Sequence, residues 1–189
     1  KAPAEKKTRW FKFLMRSKDG SEMVERYVSD NPIKHGNSYI VYEDTPNDIY
    51  DLVNKFKGNP GELLIISSSR RKNVETRIVI DDAEYITLAR TSKEDYIDVR
   101  ALGTIMAKIM EHIQRKHWPV IIIDDLSQII MNNDLNSVLT LIYQIYAAAE
   151  GPVTIAVSVK ESLLTEKDKL LLDRYMEIYK PDDQESKGE

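Results

Sequence analysis

The sequence contains no cysteine. That excludes disulfide staples, thiolate metal centres and a thiol nucleophile together. Glycine is scarce, with seven residues at positions 20, 36, 58, 61, 103, 151 and 188. None opens a GxxxxGK[ST] run and no GxGxxG exists, so no sequence provides the backbone nest that wraps nucleotide phosphates. No GxSxG elbow supports a serine-hydrolase triad. The three histidines lack HExxH or carboxylate–histidine spacing, so neither a metal nor a cofactor is expected. Cations are not in excess: 27 basic against 31 acidic residues give −4, which argues against nucleic acid as the partner. The longest nearly apolar stretch, residues 138–149, is interrupted by Thr140 and Gln144 and is shorter than the about 20 residues of a membrane span. The start carries no signal-peptide pattern.

What is present is an ordinary globular mixture, 42% apolar and 31% charged, enough for one domain with a full core. Charge is uneven along the chain. Residues 1–18 hold seven cations against the single acid Glu5, interleaved with aromatics. Arg9, Trp10, Phe11, Lys12, Phe13 and Arg16 are therefore candidate contacts for an anionic membrane surface or a protein partner. A linker helix docking on its own domain is the plainer alternative, and binding to nucleic-acid backbone a third. Residues 181–189 are mostly acidic and read as a flexible tail. The expected organisation is a basic linker or juxtamembrane segment over 1–35, an α/β domain over 36–180 and the tail beyond. An opening on Lys1 instead of methionine fits a fragment or a processed form.

Between the ends, strand and helix signals alternate. SYIVYE at 38–43 is β-branched and aromatic. Thr45-Pro46 then predicts a cap and first helical position, with Ile49, Leu52, Val53 and Phe56 at helical spacing up to Gly58. ELLIIS at 62–67 is a second strand, and residues 77–80 and 84–89 read as two shorter ones around Asp81-Asp82. Leu102, Ile105, Met106, Ile109, Met110 and Ile113 stripe a helix over 98 to about 117. VIIID at 120–124 and VTIAVS at 153–158 are strands apolar on both faces. Asp134 caps a helix stopped by Gly151-Pro152, and Thr165 with Asp168 forms a capping box for a last helix reaching Tyr179. Strands apolar on both faces, alternating with helices, specify a three-layer α/β sandwich with a mostly parallel sheet.

In such a fold, ligands bind at the carboxyl ends of strands. Two clusters qualify. Residues 120–125 resemble a Walker B strand, four apolar residues ending in acid, which makes Asp124 and Asp125 candidates. The plainer alternative is that these acids cap the next helix or end the strand. Ser68, Ser69, Arg70 and Arg71 follow the second strand and could hold an anion, or form a solvated loop.

Several stretches together resemble one family. Gly36-Asn37-Ser38-Tyr39-Ile40-Val41-Tyr42-Glu43, VIIIDDLSQIIMNN at 120–133, and VSVKESLLTEKDKLLL at 157–172 follow, in order, the pattern of the archaeal domain of unknown function eight-three-five. The resemblance implies a RecA- and KaiC-like ATPase core from which the phosphate loop is lost. It also implies a place at the carboxyl end of larger archaeal proteins, behind membrane spans or sensory domains. Asp124 falls on the family's aspartate, Asp125 where glycine is usual and Ser127 where glutamate is usual. The family has no established catalytic residue, so none is expected here.

The expected function is a non-enzymatic regulatory or interaction module, a signalling output domain working through a protein partner or self-association. It would lie in the cytoplasm, or at the membrane's inner face if preceding sequence tethers it. One alternative is an unconventional ATP–magnesium binder or ATPase, and another is a nucleic-acid-binding regulator.

Overall fold

A computed structural model describes residues 33–91 and 96–181. The segment holding Arg9, Trp10, Phe11, Lys12, Phe13 and Arg16 and the acidic tail from 182 lie outside the described residues. Strand β1 (Ser38–Tyr42) leads to helix α1 (Asp48–Asn54), then β2 (Leu63–Ser67), α2 (Arg71–Glu75), β3 (Glu84–Ala89) and β4 (Tyr96–Asp98). Helix α3 (Leu102–Arg115) precedes β5 (Val120–Ile123), α4 (Leu126–Asn132), α5 (Leu135–Ala148) and β6 (Thr154–Val159). Helix α6 (Glu166–Asp173) and the short β7 (Glu177–Ile178) follow.

The strands form one sheet in the order β4-β3-β2-β5-β6-β1-β7, and every ladder is parallel. The apolar runs explain the centre. Ile122 lies opposite Ile65 on one side and Ala156 on the other, with all three buried. Alternate β5 residues serve opposite faces. Val120 and Ile122 pack with α1 and α2, whereas Ile121 and Ile123 pack with α3, α4, α5 and α6. Each fully buried isoleucine contributes about 1.5–3 kcal/mol, so this four-residue strand anchors both layers. Ile33 is 1% exposed and belongs to the α1–α2 face. Among the described residues no helix is long and apolar enough to cross a membrane.

The two capping expectations at Asp134 and Thr165 hold. Asp134 Oδ1 accepts from Ser137 N at 2.9 Å, and Thr165 and Asp168 exchange both bonds of the box. Four local expectations fail. Residues 77–80 form no strand: Arg77 N and Ile78 N bond back to Val74 O, and Val79 N bonds to the Asn54 side chain. Their alternating pattern reflects one buried plug, Ile78, beside an exposed Val79. The long helix begins at Leu102, because residues 96–98 pair with β3 and the Asp98 carboxylate turns back onto Arg100 N. The last helix stops at Asp173, and Tyr179 N is taken by Ile40 O of β1. The first helix is not capped by Thr45: it starts at Asp48 and its donors go to Glu43.

Candidate functional site

The chain reverses its direction of travel across the sheet between β2 and β5. From β2 it moves outward through α2 to β3; from β5 it moves the other way through α4 and α5 to β6. Because right-handed crossovers put these helices on opposite faces, the topological switch point, the usual ligand position in an open α/β sheet, lies between the carboxyl ends of β2 and β5. Ser67 closes β2 there, and Asp124 follows β5 directly, its backbone N donating to Ile66 O at 3.1 Å.

Asp124 is 1% exposed. Its Oδ2 accepts from the Tyr50 hydroxyl of α1 at 2.5 Å, and its Oδ1 has no hydrogen-bond partner among the described residues. Burial is the main force on this carboxyl and pushes it up to about 6; the Ser67 and Tyr50 hydroxyls oppose the shift, and the Asp125 charge adds to it. Burial, followed by the Asp124 charge, raises the Tyr50 phenol as well. The Arg77 guanidinium lies over the Tyr50 ring at 4.6 Å and also donates to Asn47 Oδ1. Thus α1 and the segment after α2 are tied together above the carboxylate.

The other candidates are not gathered around Asp124. Asp125 stands at the N-cap of α4, but neither acid makes the side-chain capping bond there. Ser68, Ser69 and Arg70 are exposed. Ser69 N donates to Ser67 Oγ at 2.9 Å, which folds the serine turn onto the strand end. Ser68 and Arg70 line a shallow cavity of about 300 Å³ whose other described walls are at the ends of β3 and β4. Arg71 is paired with Glu75 at 2.6 Å and stacks over the Tyr85 ring at 4.7 Å. The serine–arginine run therefore faces β3, while the β5 acid is sealed under α1. Among the described residues no group of His, Asp and Glu is arranged to hold a metal ion.

The residue sequence reasoning missed is Glu43. After β1, where the fold would present helix-terminal amides to a phosphate, Glu43 turns its carboxylate onto the start of α1. Its Oε2 accepts from Asn47 N at 2.8 Å and Asp48 N at 2.7 Å, and its Oε1 from Ile49 N at 3.2 Å. Three of the four orphan donors of a helix start are thereby satisfied by the chain's own anion. A triphosphate would have to displace that carboxylate, and the acid that would approach magnesium is buried and half-partnered. The start of α1, closed by Glu43, does not fit a nucleotide phosphate.

A family model described as a protein of unknown function (DUF835) matches residues 42–176. The chain belongs to the DUF835 family. The solved flagellar accessory protein FlaH of Methanocaldococcus jannaschii matches over 82% of this chain and 74% of its own, at 16% identity and a TM-score of 0.52. A KaiC-like protein from Pyrococcus horikoshii matches over 74% of this chain and 70% of its own, at 12% identity and a TM-score of 0.45. No curated protein matches the chain. The DUF835 chain thus has the RecA-like α/β fold, with the all-parallel sheet described above.

Proposed function

We propose that this DUF835 chain is a non-enzymatic interaction module, a signalling output domain that acts by contact with a protein partner or a second copy of itself. The observation that carries this reading is the Glu43 carboxylate held by the amides of Asn47, Asp48 and Ile49, the donors a phosphate would need. A fold whose core is complete and whose anion position is occupied by its own side chain keeps the scaffold and surrenders the ligand. The test is thermal unfolding with ATP–Mg²⁺. A nucleotide at a hundredfold excess over its Kd adds about 2.7 kcal/mol to stability. The reading predicts no shift at millimolar nucleotide.

One observation favours the alternative of an unconventional ATP–magnesium site. Asp124 Oδ1 is buried without a hydrogen-bond partner at the switch point, and a cation there would satisfy it. A saturable shift that needs both ATP and magnesium, and disappears in Asp124→Asn, would establish that alternative.

A further inference from the structure

Large apolar side chains that stand exposed are not evenly spread over the described residues. Val79, Met131 and Tyr143 are scattered and Leu163 closes the turn before α6, but Leu170, Leu171, Tyr175 and Ile178 fall in one stretch from α6 to β7. Isolated exposed apolar residues are normal, whereas a contiguous group marks a contact surface. Leu170 and Tyr175 are 72% and 68% exposed, and Leu172 alone of the α6 residues is buried. Leu171 and Tyr175 stand about one helical turn apart. Beside them β7 ends the sheet and, among the described residues, pairs only with β1. Tyr179 N donates inward to Ile40 O at 2.9 Å, so alternation turns the N–H and C=O of Ile178 outward, away from the sheet.

The edge is short, and Pro181 removes a donor just beyond it, so backbone pairing here supplies few bonds and the apolar side chains beside it must carry the contact. Acids and bases alternate in equal number from Glu166 to Lys180, so the surface can face itself without net repulsion, as a two-fold contact requires. We propose that the α6–β7 surface is a self-association face. Two copies pair edge to edge about a two-fold axis through Ile178, perpendicular to the sheet. The two α6 helices then lie on the same face, and Leu170, Leu171 and Tyr175 pack across the seam. This inference deepens the interaction reading and rests on it.

The absence of cysteine makes the test direct. With its N–H and C=O outward, Ile178 would meet its own copy as a hydrogen-bonded pair with Cα atoms about 5.5 Å apart, within the roughly 4.4–6.8 Å that a disulfide spans. Ile178→Cys in the full chain should give a disulfide-linked dimer under mild oxidation. Val79→Cys, 87% exposed on the opposite face, should remain monomeric. Sedimentation equilibrium of the unaltered chain at sub-millimolar concentration should show a monomer–dimer equilibrium. Leu170→Glu with Tyr175→Glu should weaken it at least about tenfold with unchanged circular dichroism. A strictly monomeric chain, or equal cross-linking of the two cysteines, overturns the proposal. If self-association fails and ATP–Mg²⁺ still gives no shift, the interaction reading stands with a different partner; a saturable ATP response removes that reading whatever the oligomeric state.

Discussion

Two carboxylates at opposite ends of the sheet have opposite fates. Asp124, at the carboxyl end of β5, is sealed from solvent and met by neutral hydroxyls: Tyr50 bonds Oδ2, Ser67 also draws the carboxyl down, and Oδ1 makes no hydrogen bond among the described residues. Glu84, at the amino end of β3, meets His112 Nδ1 at 3.2 Å, Arg115 Nη2 at 2.8 Å and Lys116 Nζ at 2.9 Å. Burial raises both, and at Asp124 burial wins. At Glu84 the bonds from Arg115, Lys116 and His112 outweigh it and hold the carboxyl down to about 2. Depth and the charge of the partners together separate the two: Glu84 is a third exposed and met by cations, whereas Asp124 is buried and met by neutral hydroxyls. The amino end of the sheet is fixed by charge pairing, with His112 also joined through Nε2 to Glu62 O at 2.9 Å. The carboxyl end, where a ligand would sit, stores an unsatisfied acid.

The comparison can be broken most strongly at Asp124. A carboxyl raised in the folded state stabilises fully below its unfolded value of 3.8 and loses that contribution as pH climbs through about 6. Asp124→Asn removes the cost of burying charge. It should gain on the order of 2–3 kcal/mol in urea unfolding at pH 8 and nothing comparable at pH 4. Equal effects at both pH values would show that the carboxyl is not raised. Tyr50→Phe deletes the donor to Oδ2 and should cost about 2 kcal/mol above pH 6, and less below, where the acid is neutral. A loss independent of pH would assign Tyr50 a packing role only.

At the other end the sign inverts. Glu84, lowered in the folded state, stabilises above its unfolded value of 4.5, and that contribution fades as pH falls toward about 2. Because its side chain is 33% exposed, screening reduces the effect. Glu84→Gln should lose about 1 kcal/mol at neutral pH and flatten the acid limb of the stability curve. The smallest effect sharpens the contrast. At about 1 M salt the Debye length falls to about 3 Å, so the Glu84 cluster should weaken by a few tenths of a kcal/mol while the buried Asp124 does not respond. Denaturation midpoints of Glu84→Gln and Asp124→Asn at two salt concentrations separate the two.

The sheet was legible because its central strands are continuous apolar runs too short for helices, and the helices between them show apolar stripes or, at α5 and α6, a capping residue. β4 and β7, three and two residues long, leave no periodicity to read and exist only through their pairing with β3 and β1. The site was legible by half. Asp124 is announced by the apolar run that it ends. Its partner Tyr50 is 74 residues away, on what reads as an ordinary helix, and local spacing cannot join them. Glu43 reads as the polar end of a strand, and its capping role depends on a turn that folds the chain back over the next six residues. Arg77 and Val79 mimic a strand because one side chain of their segment is buried and the next is not.

Amide chemical shifts of Asn47, Asp48 and Ile49 during a titration with ATP–Mg²⁺ address the Glu43 assignment most directly. If the Glu43 carboxylate occupies those donors, the three signals stay in place throughout the titration, and they move in Glu43→Ala without any nucleotide. Saturable movement of the same three signals in the unaltered chain would mean that phosphate reaches the start of α1, and that the chain binds nucleotide after all.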